Sequence, residues 1–380
     1  MKLKLTICYL FLSLILFSQQ TDTITFYSKA FQADRTIYIT TPEFFKYQSE
    51  TVQLPVFFIL DGQHEWFVNP VANAIRYLQD TKEVPAVLTV VIPLADRMQA
   101  CAIPDDIHAV LPLHDFITKE IPAAIAAYCP GSLRILIGHS FSASFALYSY
   151  HKTPDFYHAV MSHTPLDRLD DIIAALQQNQ RVQPANIYLS AGSVLATKDI
   201  HHRAAYDKLK IKYADFFQKM NTYEANYAAH NAVPIVATPV FLNKMFFSFS
   251  TRYNHIAPVN ENYEMTQTPQ SVEAELAMIQ QACYTDQHYI SPELPEINGI
   301  ASRFQNNGYT EHARALYEWG ITLYPNDFGF YLSLAGLLHE SDPEKTKVLL
   351  TKALELLQTV ETELAERDEM IAEINDWLNN

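Results

Sequence analysis

Glycine is scarce in this chain, 9 of 380 residues, against a usual share of about 7 %. Each glycine therefore carries more information than usual. Cysteine is nearly as sparse. One of the four, Cys8, lies in the first apolar run, which leaves Cys101, Cys129 and Cys283. Three thiols exclude a disulfide framework, although one bridge plus a free thiol, or no bridge, both remain open. Basic blocks are absent beyond the first four residues and the formal net charge is −15. That argues against a nucleic-acid partner and against docking on an anionic membrane. The patterns H-x-x-E-H and C-x-x-C are missing, and no histidine–carboxylate cluster has ligand spacing, so no metal and no cofactor is implied.

The longest leading apolar run, Ile7 to Phe17, covers about eleven residues, too short to span a bilayer. With Lys2 and Lys4 before it and Ser18-Gln19-Gln20 after it, residues 1–20 have the form of a secretory signal. A secreted or periplasmic protein is expected, an uncleaved anchor or a buried first strand being the alternatives. Cys8 comes too early to be a lipid-attachment cysteine. The remaining length exceeds one typical domain, and a hydrophobic content of 49 % is ample for a sizeable core.

Apolar strands alternate with helical stretches. Thr23–Phe26 and Arg35–Thr40 are β-branched and alternating, as half-buried strands are. Gln53–Leu60, Val84–Ile92 and Leu133–Ile137 are continuous apolar runs of the kind a sheet covered on both faces requires. Ala159–Met161, Ile187–Ser190 and a last strand at Phe246–Ser250 complete the set, with helices over His114–Tyr128 and Ala204–Met220. This pattern predicts an α/β fold with a mostly parallel sheet and helices on both faces. Between residues 21 and 285 only Gly62, Gly131, Gly138 and Gly192 occur, and three of them follow an apolar strand directly. Ligand sites in open α/β sheets lie at those strand ends.

The run Ile135-Leu136-Ile137-Gly138-His139-Ser140-Phe141-Ser142-Ala143 reads as a buried strand, a sharp turn and a helix. A serine on such an elbow has its hydroxyl pushed clear of the sheet, and the N–H of the next residue, Phe141, can donate to an oxyanion. Small residues are needed two before and two after the serine. Gly138 meets the first demand; Ser142 stands where G-x-S-x-G has its second glycine, so the match is imperfect. The competing reading is an inert turn.

Several segments in order carry a family resemblance. Phe57-Phe58-Ile59-Leu60-Asp61-Gly62-Gln63, Val91-Ile92-Pro93 with Asp96-Arg97, Phe116-Ile117-Thr118-Lys119-Glu120-Ile121-Pro122, the Ser140 elbow, and Asn254-His255 before Pro258-Val259 resemble the esterase-D and enterochelin-esterase-like branch of the α/β-hydrolases over about residues 24–280. The resemblance implies a serine nucleophile at Ser140, a general base at His255, and an oxyanion hole from the backbone N–H groups of Phe141 and Gln63. His255 also suits the fold's chain order, after a final strand; a packed or exposed loop histidine is the alternative. The acid is expected soon after Ile187–Ser190, where Asp199 is the first candidate; it could equally be a helix-start carboxylate. His64, His139 and His163, just at or beyond strand ends, could line a substrate pocket or be plain loop residues. Asp96 and Arg97 are expected to form a structural ion pair.

Pro292 and Pro295 mark a change of texture. Ile297, Ile300, Ala301, Phe304, Gly308, Ala313, Tyr317, Gly320 and Pro325 match the spacing of a tetratricopeptide repeat, and Tyr331 to Ala353 form a looser second unit, with Glu361–Leu378 as a closing helix. Two repeats bury too little to stand alone. The expected organisation is therefore a signal over residues 1–20, an α/β-hydrolase domain over 21–288, and a small all-α helical-repeat domain over 293–380. That domain would dock on the hydrolase or offer a groove to a protein partner. The expected activity is hydrolysis of a small-molecule carboxylic or thio-ester through an acyl-enzyme on Ser140. A catalytically weak or inactive binding or scaffold protein on the same fold is the second reading.

Overall fold

A computed structural model describes residues 21–193, 200–285, 288–359 and 364–379. The expected signal segment and Asp199 lie outside the described residues.

Eight strands form one sheet in the order β1-β2-β4-β3-β5-β6-β7-β8. They are β1 (Thr21–Ser28), β2 (Ala33–Thr40), β3 (Leu54–Leu60), β4 (Leu88–Ile92), β5 (Pro130–His139), β6 (Ala159–His163), β7 (Ile187–Ala191) and β8 (Asn221–Glu224). The hairpin β1–β2 is antiparallel and joins β4 antiparallel; from β4 through β8 every pairing is parallel. This is the mostly parallel α/β sheet that the apolar runs predict. Successive side chains of a strand point to opposite faces, and β3 shows it. Val56, Phe58 and Leu60 enter one core, which Phe116, Ile117, Phe145, Leu147, Ile172 and Leu209 cover from helices on that face. Phe57 and Ile59 enter the other, under Phe67, Val71 and Ile75 of helix Glu65–Asp80 and Val233, Ala237 and Phe241 of helix Val233–Met245. A strand buried on both faces has no reason to alternate polar residues, hence the unbroken apolar run. All three remaining cysteines are free.

Two elements depart from expectation. Phe246–Ser250 is not a strand: Phe247–Ser250 is a helical turn in which Phe249 is buried. The last strand of the eight-stranded sheet is instead β8, Asn221-Thr222-Tyr223-Glu224, paired with β7 from Tyr188↔Asn221 to Ala191↔Glu224. At the sheet edge it needs no apolar run, so its polar sequence hides it. The predicted helix Ala204–Met220 begins earlier, at Ile200, and is interrupted at Tyr213.

The C-terminal region is all helical: Leu294–Asn306, Thr310–Leu323, Phe328–Leu338, Pro343–Leu357 and Leu364–Asn379. Ile297, Ala301, Phe304, Ala313, Tyr317, Leu334, Ala335 and Leu350 make its core. Gly320 is required there, because a Cβ would lie 2.8 Å from the Phe330 ring. The same core takes in Val52, Tyr253, Ile256 and Ile279 from the preceding chain. Polar contacts also cross. Glu293 accepts the Ala86 N–H at 2.6 Å and pairs with Lys82 at 3.1 Å, and the Ser49 N–H donates to Leu323 O at 2.7 Å. The helices are thus packed onto the sheet domain rather than tethered to it.

Candidate active site

Ser140 joins β5 to helix Phe141–Lys152 with φ 63° and ψ −117°. A positive φ is costly for a residue with a Cβ, and the surroundings enforce it. The Ser140 N–H donates to His163 O at 2.9 Å, while Ser140 O accepts the N–H groups of Ala143 and Ser144, each at 3.1 Å. The turn is so tight that a Cβ on Gly138 would lie 2.4 Å from Ser142 O. At the start of the helix, Phe141 N–H has no intrahelical acceptor, and the helix dipole favours negative charge there.

Ser142, the imperfect position of the motif, has a use. Its fully buried Oγ donates to Asp61 Oδ2 at 2.6 Å and accepts the His139 N–H at 2.8 Å. Asp61, also fully buried, ends β3 with φ 62°. Its other oxygen accepts from Arg97 Nε at 2.6 Å, and Arg97 Nη2 donates to His139 O at 2.7 Å. The Arg97 ion pair therefore goes to Asp61, not to the adjacent Asp96, whose carboxylate instead caps its own helix through the Gln99 N–H. This buried knot fastens the loop after β3 to the elbow.

Gln63 belongs to that loop. Its side chain is engaged, Nε2 donating to Asp61 Oδ1 at 3.3 Å and Oε1 accepting the Leu94 N–H at 2.8 Å. Its own backbone N–H has no acceptor among the described residues. Gly62 permits the close passage, since a Cβ there would meet Pro93 N at 2.8 Å. The two expected oxyanion donors thus sit on segments that Asp61 ties together.

The end of β5 and the segments after β3, β7 and β8 bring a series of rings to one end of the sheet. His64 stacks on Trp66 with centroids 5.6 Å apart, and Trp66 meets His139 edge-on at 5.4 Å. His139 lies 4.6 Å from His230, which lies 5.2 Å from His202. The buried His139 donates from Nε2 to His230 O at 3.1 Å. Burial first, and then the neighbouring His230, push its pKa down to about 3, so it is a neutral donor. The β7 and β8 loops are stapled together. The Ser193 N–H donates to Ala228 O at 2.9 Å, and Arg203 Nη1 donates to Gly192 O at 2.9 Å and to Asn226 Oδ1 at 3.0 Å.

Of the sequence-predicted residues, Ser140, Phe141, Gln63, His64 and His139 come together around the elbow. His163 does not line a pocket. It is fully buried, with Nδ1 2.9 Å from Ser190 Oγ and Nε2 3.1 Å from Thr238 Oγ1, and burial pushes its pKa down to about 3. It packs beneath the elbow, where its carbonyl holds the Ser140 N–H. His255 lies elsewhere. It is exposed, on an open groove of about 580 Å³ with Arg252, Met278, Gln281 and Thr285, and its neighbours Tyr253 and Ile256 belong to the C-terminal core. No contact among the described residues links it to Ser140. The expectation for it rests on the resemblance of Asn254-His255 to the family's histidine loop and on a final strand just before it, and Phe247–Ser250 is helical. His230, by contrast, lies beside His139 at the elbow end of the sheet, six residues after β8, the last strand of that sheet. The signal that could have found it is the short segment Asn221–Glu224 ahead of a histidine and a Pro234-led helix.

Known proteins agree with this architecture. Residues 28–193 match the model of the putative esterase family. An IroE-like serine hydrolase from Shewanella oneidensis superposes with a TM-score of 0.59 at 15 % identity, over 79 % of this chain and 99 % of that one. An uncharacterised protein from Capnocytophaga ochracea superposes at 0.54 and 14 % identity, over 94 % of this chain and all (100 %) of that one. No curated protein matches the chain by sequence. The chain has the α/β-hydrolase fold, and its resemblance to the esterase-D and enterochelin-esterase-like branch holds.

Proposed function

We propose that this protein is a serine esterase that forms an acyl-enzyme on Ser140. The observation that supports it best is the Ser140 backbone at φ 63°, on a strand-to-helix elbow whose first helical N–H belongs to Phe141. In this reading His230 takes the Ser140 hydroxyl proton as Oγ attacks the ester carbonyl. The backbone N–H groups of Phe141 and Gln63 receive the developing oxyanion. Collapse of the tetrahedral species expels the alcohol, which takes its proton from His230; water then attacks the acyl-serine by the same route in reverse. Asp199 is the proposed orienting acid. In sequence it immediately precedes helix Ile200–Lys212, which carries His202 beside His230. His139, neutral and bonded to the His230 carbonyl, fixes the loop that bears the base. Residues 1–20 would direct the protein to a secreted or periplasmic location, and the helical C-terminal region would act as a docked accessory body.

Steady-state hydrolysis of p-nitrophenyl butyrate tests the reading. Wild type should turn over, and Ser140→Ala should lose activity by about 10³-fold or more. An undiminished Ser140→Ala rate contradicts it. An inactive wild type would favour a binding protein on this fold.

A further inference from the structure

A second cavity, of about 450 Å³, opens between the β1–β2 hairpin, the end of β4 and the helices that follow. Phe31, Arg35, Leu94, Gln99, Leu113 and Phe116 are among the residues that line it. The volume falls in the range of small-molecule sites, about 300–1,000 Å³. Its floor is aromatic: Phe26 stacks on Phe116 at 5.5 Å and Phe31 meets Phe116 edge-on at 5.6 Å. Arg35 lies over the Phe31 ring, its guanidinium carbon 4.1 Å from the centroid. Its Nε is buried and has no hydrogen-bond partner among the described residues. A buried N–H left in this state is uncommon in folded proteins and destabilising. The guanidinium is therefore pre-positioned by its ring contact, and its buried Nε lacks an acceptor among the described residues.

We propose that this cavity binds a small monocarboxylate with an apolar body, the carboxylate on Arg35 and the body over Phe31, Leu113 and Phe116. A planar guanidinium suits a carboxylate. One cation, with Asp96 also on the lining, favours a monoanion over a phosphate dianion. The Asp96 carboxylate is already engaged with the Gln99 N–H at 3.0 Å. The cavity wall also touches the loop that holds Gln63. The Leu94 N–H donates to Gln63 Oε1, and the Gly62 N–H donates to Ile92 O at 3.0 Å. Occupancy would thus bear on the loop that carries a proposed oxyanion donor, without contact with Ser140.

Isothermal titration of the full protein with benzoate and with benzamide tests this. Benzoate should bind at least about tenfold more tightly than benzamide. Arg35→Gln should weaken benzoate by at least about tenfold, with Arg35→Lys retaining part of the affinity. Gln99→Trp, on the exposed rim, should block binding by filling the mouth and serves if Arg35→Gln does not fold. Benzoate binding should survive prior phosphonylation of Ser140; loss on phosphonylation with retention in Arg35→Gln would place the ligand at the serine and overturn the proposal. Equal affinity for the two ligands, or no benzoate binding up to about 10 mM, would also overturn it. The variant and ligand comparisons do not depend on esterase activity.

Discussion

Replacing Ser142 by glycine would restore the usual esterase motif, yet the structure predicts that it weakens the protein. Ser142 Oγ is fully buried; it donates to Asp61 Oδ2 at 2.6 Å, lies 2.9 Å from His139 O and accepts the His139 N–H at 2.8 Å. A bond to a charged group contributes about 1.5–3 kcal/mol, and a buried N–H stripped of its acceptor costs about 1–3 kcal/mol. Glycine in place of a side-chain-bearing helix residue adds about 0.5–1 kcal/mol of backbone entropy. The sum is about 3–7 kcal/mol, a large share of a typical stability of about 5–15 kcal/mol. Ser142→Ala, free of the glycine entropy, should lose about 2.5–6 kcal/mol. Urea denaturation of Ser142→Ala, Asp61→Asn and the double variant would measure it, and the two sites should couple by about 1 kcal/mol or more. A Ser142→Ala loss below about 0.5 kcal/mol, or strict additivity with Asp61→Asn, would refute the reasoning that the serine clamps the elbow to β3.

Other expectations follow from buried titratable groups. Burial pushes His163 from its ordinary 6.5 to about 3, so the unfolded chain binds the extra proton between those values and stability falls as pH drops. The slope is about 1.4 kcal/mol per pH unit for each such histidine below 6.5. His163→Asn should lower the slope measured from pH 6.5 to 5 by about one proton; an unchanged slope would count against it. Arg252, with a side chain 3 % exposed, pairs with Glu296 across the join to the helical region. Arg252→Met should cost about 3–5 kcal/mol by stranding that carboxylate, measured as a fall in the denaturation midpoint. A change below about 1 kcal/mol would show that the join contributes little.

The central strands were legible because a sheet covered on both faces leaves a mark in sequence: β3 and β5 are runs of Val, Ile, Leu and Phe. The elbow was legible because steric demand leaves one too, as at Gly138. What stayed hidden was an edge strand. Asn221–Glu224 has polar residues and few neighbours to satisfy, so nothing in its composition distinguishes it from a loop. That omission shifted the expected end of the sheet to the aromatic stretch Phe246–Ser250, which buries Phe246 and Phe249 as a helical turn. With the sheet's end placed there, chain order as well as the family resemblance points to His255 rather than His230. Asp61 was also out of reach of motif logic, since its partners Ser142 and Arg97 are 81 and 36 residues away.

Intact-mass measurement of fluorophosphonate labelling reads the nucleophile and its base on the protein itself. Wild type should take one adduct and Ser140→Ala none, while labelling should slow by about 10²-fold or more in His230→Ala and keep its rate in His255→Ala. A Ser140→Ala protein that still labels, or a His255→Ala protein slowed while His230→Ala is not, would contradict this assignment.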